Sequence, residues 1–396
     1  MKNIKAMLAV AAMALAVGAP VHADETLKLG VSAVLSGPGA FYGTGAVWTA
    51  RQAAKHINDQ GGIKADGKTY KLEIVAYDNK YTATEGAKVA QTLIVRDGIK
   101  HIIATQSTAA VSALQALSER RGVLHFTGAW GKRLRGENFP LTFTMLNSPG
   151  EILEPMYSYI KETYPKAKRV AVLNPNDATG QDIQAASVEV WKSMGYEIVG
   201  NDLVDRSTTD FSPIATRVAA TKPDIVDVGG LPLPNAGQLF KELAVQGWDG
   251  IKLAPAGSGS HALVSTGGKA AEGVYLGLAA TFGSPNATPI ERELNSLALK
   301  ELKQPLDQVT ISPWDSIAAL KAAIEKTGTI DPLVLAKAMP DVVFESSYGP
   351  AAFGLKDTYG MPNQMLLPVI ISQVKDGVAV ELERINPAEL QKKLGK

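Results

Sequence analysis

The sequence predicts an α/β protein built as two similar lobes. Three observations carry this. Short apolar runs alternate with segments of helical period along most of the chain. The alternation restarts near Arg169, as it would if a first unit had closed. And 396 residues suffice for two hydrophobic cores of ordinary size.

The first unit opens with a strand over 27–35, stopped by Ser36-Gly37-Pro38-Gly39, where glycine and proline turn the chain but cannot extend a ladder. Val47, Ala50, Ala54 and Ile57 then recur at helical spacing on one face. In open α/β sheets the loops at strand carboxyl ends are where ligands sit. Phe41 and Tyr42 place aromatic surface in that loop, either as a ligand wall or as a plug for the core. Strands follow over 70–76, 99–105 and 122–126, with helices over 82–95 and 109–118. After the restart, strands are expected over 169–173, 196–204, 224–228 and 251–254, with helices over 180–194, 212–220 and 236–246. Residues 99–129 and 223–257 share one grammar of strand, small-residue loop, helix, strand and loop. That echo favours two lobes over one long sheet.

Residues 271–280 read as a strand returning to the first lobe. Helices over 289–302, 314–326 and 332–339, strands over 365–374 and 379–382, and a helix over 387–393 complete the chain. Candidate crossings between lobes are 142–148, 275–281 and 360–367, and three crossings make a hinge of limited freedom. The lobes are then 24–145 with 279–360, and 146–278 with 361–396.

Residues 1–23 form a signal peptide. Lys2 and Lys5 precede an apolar run over 7–17 too short to span a bilayer, and Val21-His22-Ala23 offers the small residues a signal peptidase accepts. Cleavage after Ala23 takes the formal charge from +1 to −1. So balanced a charge gives no field for nucleic acid or a membrane surface. The chain has no cysteine, which excludes disulfides, thiolate metal sites, cysteine nucleophiles and a lipidated N-terminal Cys. The expectation is an exported, unanchored periplasmic protein, monomeric and without cofactor.

Ser107 and Thr108 stand where a helix begins. Their hydroxyls and the first free backbone N–H groups suit a carboxylate without needing a lysine, and a plain N-cap is the compatible alternative. Tyr42, Trp130 and Trp314 are candidate walls for an apolar ligand body. Trp314 also falls on a stripe with Ile317 and Leu320 that suits a core. Lys132, Arg133 and Arg135 either draw in an anion or are solvated loop charge. Signals for catalysis are poor: the histidines show no metal spacing, no phosphate-binding glycine loop follows a strand, and Gly257-Ser258-Gly259-Ser260-His261 lacks a nucleophile elbow. No catalytic or metal-ligating residue is assigned.

LGVSAVLSGPGAFYG, HINDQGGI, DGIKHIIA, GAWG, TGQD, KPDIVDVGG, PAGSGS and AAEGVYLG, in that order and spacing, resemble the periplasmic branched-chain amino-acid-binding proteins of ABC importers. The resemblance spans essentially the whole mature chain. It implies a periplasmic-binding-protein type I fold, with two Rossmann-like lobes and a three-stranded hinge, closing on a small solute that permease subunits then accept. Position by position, it implies that Tyr42 is the aromatic of the first loop. Ser107 and Thr108 fall where a serine holds the ligand carboxylate. Ala129 and Gly131 match the next contact pair, with glycine in place of a hydroxyl residue. Thr179 and Leu231 replace aromatics, and Ala256 replaces the acid that pairs with an amino acid's ammonium. A desolvated ammonium without that partner costs several kcal/mol. The expected solute is therefore a small carboxylate or amide with an apolar body, aromatic or not, and an amino acid only if Asp182 or Asp205 reaches in. An exported hydrolase using Ser258 or His261, and a sensory ligand-binding domain, are the alternatives.

Overall fold

The computed structural model describes residues 25–37, 39–278 and 280–395. The signal peptide expected over 1–23 and its cleavage point lie outside the described residues.

The first sheet contains β1 (Glu25–Ala33), β2 (Ile63–Ala65), β3 (Lys68–Asp78), β4 (His101–Thr105), β5 (Leu124–Thr127) and β6 (Thr142–Thr144). The second contains β7 (Arg169–Pro175), β8 (Glu197–Val204), β9 (Ile225–Asp227), β10 (Ile251–Ala254) and β11 (Tyr275–Leu276). After a small hairpin, β12 (Phe344–Ser346) with β13 (Gly349–Ala351), come β14 (Phe353–Gly354), β15 (Gln364–Met365), β16 (Val369–Lys375) and β17 (Val378–Ile385). β14 and β15 extend the first sheet, giving the order β14-β15-β6-β5-β4-β1-β3-β2. β16 and β17 extend the second, giving β17-β16-β11-β10-β9-β7-β8. Both sheets are mixed: the first has a parallel centre between two antiparallel margins, and the second is parallel from β11 to its β8 edge and antiparallel at the other. The chain changes sheet after β6, after β11 and between β15 and β16, so three strands of chain link two α/β lobes.

Helices α1 (Ala40–Asp59), α2 (Ala83–Ala90), α3 (Thr108–Arg121), α4 (Pro149–Thr163), α5 (Ala178–Ser193), α6 (Ser212–Ala220), α7 (Leu233–Val245), α8 (His261–Gly267), α9 (Pro289–Glu301), α10 (Gln308–Thr327) and α11 (Pro332–Ala338) cover the sheets. Val47, Ala50 and Ile57 of α1 share a core with Ile317, Leu320 and Ile324 of α10 and with Leu29 and Val31 of β1. On the opposite face of that sheet, Val89 of α2 and Leu114 of α3 pack with Ile102. The second lobe repeats the sandwich, with α6 and α7 on one core and α4 and α5 on the other.

Three of the expected elements are cut short for a local reason. The expected strand over 365–374 is broken, because Pro368 cannot donate to a ladder and the chain passes there from one sheet to the other. Its carbonyl accepts from Asn147 Nδ2 (2.9 Å), tying two crossings together. The expected strand over 271–280 shrinks to Tyr275–Leu276. At Gly277 a Cβ would lie 2.4 Å from the Pro255 carbonyl oxygen, so the backbone hugs the neighbouring loop instead of pairing. The helix expected over 82–95 ends at Ala90 and continues as a π-helical turn, Gln91–Arg96, in which Leu93 and Ile94 are both buried.

Candidate functional site

The strand-end loops of the two lobes face each other across a cavity of about 150 Å³. Its floor in the first lobe is set by Gln106. The Gln106 Oε1 accepts from Val34 N (3.1 Å) and its Nε2 donates to the Tyr42 carbonyl (3.2 Å), which locks the loop after β1 to the loop after β4. The next residue, Ser107, is held at φ +78° and ψ +123°, a region that L-residues rarely enter. Its hydroxyl donates to the Tyr81 carbonyl (3.3 Å) and accepts, at 3.5 Å, from Ala110 N. The N–H groups of Thr108 and Ala109 open α3 and have no intrahelical partner.

Direct contacts join the lobes around this cavity. Thr179 Oγ1 donates to Thr108 Oγ1 (2.9 Å) and accepts from the Tyr81 hydroxyl (3.4 Å). On another side Ser258 Oγ donates to Asp307 Oδ2 (2.8 Å), and Asp307 also caps α10 through Thr310 N (2.8 Å). Tyr42 lies beside that pair. Burial first, then the charge of Asp307, pushes its phenol well above the ordinary tyrosine range, so it is a neutral wall of the cavity.

Of the residues singled out in the sequence, Tyr42, Ser107, Thr108, Ala129, Trp130, Thr179, Leu231 and Ala256 line the cavity. Gly131 and Trp314 do not. Gly131 serves lobe contact, since a Cβ there would meet Asp182 Oδ2 at 2.6 Å. Trp314 packs between two first-lobe cores with its ring 5.2 Å from that of His56, which is the stripe reading of the sequence. Arg135 is occupied structurally: its Nη1 donates to Ser148 Oγ (3.0 Å) and its guanidinium stacks 4.4 Å from the Tyr359 ring centroid. Arg133 pairs with Asp182 (3.4 Å), and Asp205 accepts from Ser207 N and Oγ, so neither Asp182 nor Asp205 reaches the cavity.

Tyr81 and Arg206 also line the cavity and were not singled out in the sequence. Both follow strand carboxyl ends, of β3 and β8, so the strand-end rule applied to every strand would have found them. No Asp, Glu or Lys lines the cavity among the described residues, and Arg206 is the one charged side chain there.

Nothing in this arrangement forms a nucleophile–base pair. Ser258 is fully buried on Asp307, while His261 is exposed at the start of α8. Among the described residues no group of His, Cys, Asp and Glu could hold a metal. None of their helices is long and apolar enough to cross a membrane.

Comparison with known proteins agrees with this geometry. The family described as periplasmic binding protein matches residues 26–377. A Leu/Ile/Val/Thr-binding protein of Salmonella typhimurium is 25% identical over 345 residues, spanning 87% of this chain and 91% of its own. A leucine binding protein of Thermotoga maritima superposes with a TM-score of 0.78 at 18% identity, covering 92% of this chain and 99% of that one. A solute binding protein of an ABC transporter from Rhodopseudomonas palustris, solved with 3,4-dihydroxybenzoic acid, superposes with a TM-score of 0.76 at 24% identity, covering 91% and 97%.

Proposed function

The chain belongs to the periplasmic binding protein family, and from that premise we propose that its solute is a small aromatic monocarboxylate, not a free α-amino acid. The observation that carries this is the absence of any carboxylate among the described residues lining the cavity. An α-ammonium taken from water into such a pocket would lose several kcal/mol without a counter-charge, and each 1.4 kcal/mol is about tenfold in affinity. An anion meets the opposite situation: the free N–H groups of α3, the hydroxyl of Thr108, which only accepts from Thr179, and a guanidinium. Size agrees, because a cavity of about 150 Å³ accommodates a benzene ring. Tyr42, Trp130, Leu146 and Leu231 offer it apolar walls. The related protein solved with 3,4-dihydroxybenzoic acid binds a solute of this class.

In this reading the protein is exported with residues 1–23 removed, works as a monomer in the periplasm without a lipid anchor, and hands its solute unchanged to the permease subunits of an ABC importer. The lobes close on the solute as binding shifts the population toward the shut form. Isothermal titration of residues 24–396 with benzoate, 4-hydroxybenzoate, 3,4-dihydroxybenzoate and leucine tests it. Micromolar or tighter binding of at least one aromatic acid, with no heat from leucine, is expected. Nanomolar leucine binding overturns it.

A further inference from the structure

We propose that Arg206 is the residue that recognises the solute's carboxylate, working from the second lobe against the start of α3 in the first, so that the anion itself ties the lobes together. The assignment rests on the solute reading above and adds to it the group that reads the charge.

Arg206 follows the end of β8 and is 27% exposed. One donor is used within the chain: Nε donates to Asp177 Oδ2 at 2.6 Å. Asp177 is otherwise committed, its Oδ1 accepting from Thr179 N and Gly180 N (3.0 Å each) to cap α5. The guanidinium lies 4.5 Å from the ring centroid of Tyr81, an aromatic of the opposite lobe. That stacking fixes its plane and leaves the other nitrogens uncommitted. Nη2 is shut off from solvent and has no hydrogen-bond partner. A charged donor left in that condition costs more than a neutral one, and such orphans in a cavity wall mark places where a ligand group belongs.

Its position joins it to the other anion donors. Tyr81, on which Arg206 stacks, accepts through its carbonyl from Ser107 and reaches Thr179 through its hydroxyl, and Thr179 touches Thr108. Arg206 therefore shares one end of the cavity with the α3 terminus, while the apolar walls occupy the rest. A planar carboxylate placed there meets a planar fork on one side and backbone N–H groups on the other. A neutral amide cannot draw on the guanidinium in this way, so the acid is selected over its amide.

Isothermal titration of wild type, R206Q, R206K and D177N with the tightest-binding aromatic acid tests the assignment. R206Q is expected to lose about 100-fold in affinity, and R206K, which keeps the charge without the fork, about tenfold. D177N breaks the same internal pair but leaves the guanidinium in place and keeps a capping side chain on α5, so it is expected to lose less than R206K. Affinity of R206Q within tenfold of wild type overturns the assignment, as does D177N falling as far as R206Q. If R206Q does not fold, as read by its thermal transition, R206K against D177N decides by the same order. Failure of wild type to bind any aromatic acid overturns the solute reading itself, and this assignment with it.

Discussion

Ser107 holds a conformation, φ +78° and ψ +123°, that costs an L-residue on the order of 1–3 kcal/mol. The strain is sustained by the Tyr81 carbonyl, the Ala110 N–H and the burial of the side chain. In an ordinary helix or strand, replacing Ala by Gly lowers stability by about 0.5–1 kcal/mol. Here the order inverts: S107G is expected to be more stable than S107A by about 1 kcal/mol or more in urea unfolding without solute, while both bind solute more weakly than wild type. The strain was not legible in the sequence, since a serine before a helix reads as a cap and gives no sign of positive φ. Ser107 as a helix opener was legible, and so was a cleft position for Ala256. Arg206 was within reach of the strand-end rule as a cleft residue, but its hold by Asp177 and Tyr81 was not, since one arginine after a strand reads equally as solvated charge.

The strand–loop–helix unit is used twice at the cleft, and in both lobes a glycine in the helix's first turn sits against the carbonyl that ends the strand. A Cβ at Gly43 of α1 would lie 1.9 Å from the Val34 carbonyl oxygen, and one at Gly180 of α5 would lie 1.9 Å from that of Pro175. A backbone oxygen cannot swing aside as a side-chain tip does. G43A and G180A are each expected to cost about 3 kcal/mol or more in chemical denaturation, at the upper end of overpacking penalties, and to weaken solute binding by displacing Tyr42 or Thr179. The alternation of these units was plain in the sequence because hydrophobic period and glycine-rich breaks agree. What sequence reasoning lost was α4, despite the capping box of Ser148 and Glu151 that opens it, and several margins. The hairpin of β2 and β3 turns on Asp66-Gly67, both at positive φ, a dipeptide whose turn chemistry is readable but was passed over. The break at Pro368 and the two-residue β11 depend on chain passing between lobes, which local pattern does not encode.

Across the whole molecule, several carboxyls are buried with their titration shifted. Burial raises the Glu291 carboxyl to about 7, against the Thr288 N–H that accompanies its capping box, and burial raises Asp315 to about 7 as well. Between pH 4.5, the ordinary value for a glutamic acid, and 7, the folded protein keeps a proton on Glu291 that the unfolded chain releases. Stability from this group is therefore present below that window and declines as pH rises through it. E291Q keeps the capping geometry without the titration. Relative to wild type it should gain on the order of 1–3 kcal/mol in unfolding free energy between pH 4 and pH 8. No such gain would show that Glu291 is already ionised in the fold. Glu381 behaves in the opposite sense. Burial alone would raise it, but hydrogen bonds from Arg384, Asn286 and Thr281 outweigh that and hold it at about 2. Its contribution is complete at neutral pH and disappears only as the medium becomes strongly acid.

The cavity draws its walls from both lobes, with Tyr42 and Ser107 on one side and Leu231 and Arg206 on the other. A guest seated there touches both halves at once, so parting them unmakes much of its site. Any machine that pries the halves asunder strips away half of the guest's surroundings in one motion, turning a tight holder into a poor one by force alone, with no bond made or broken.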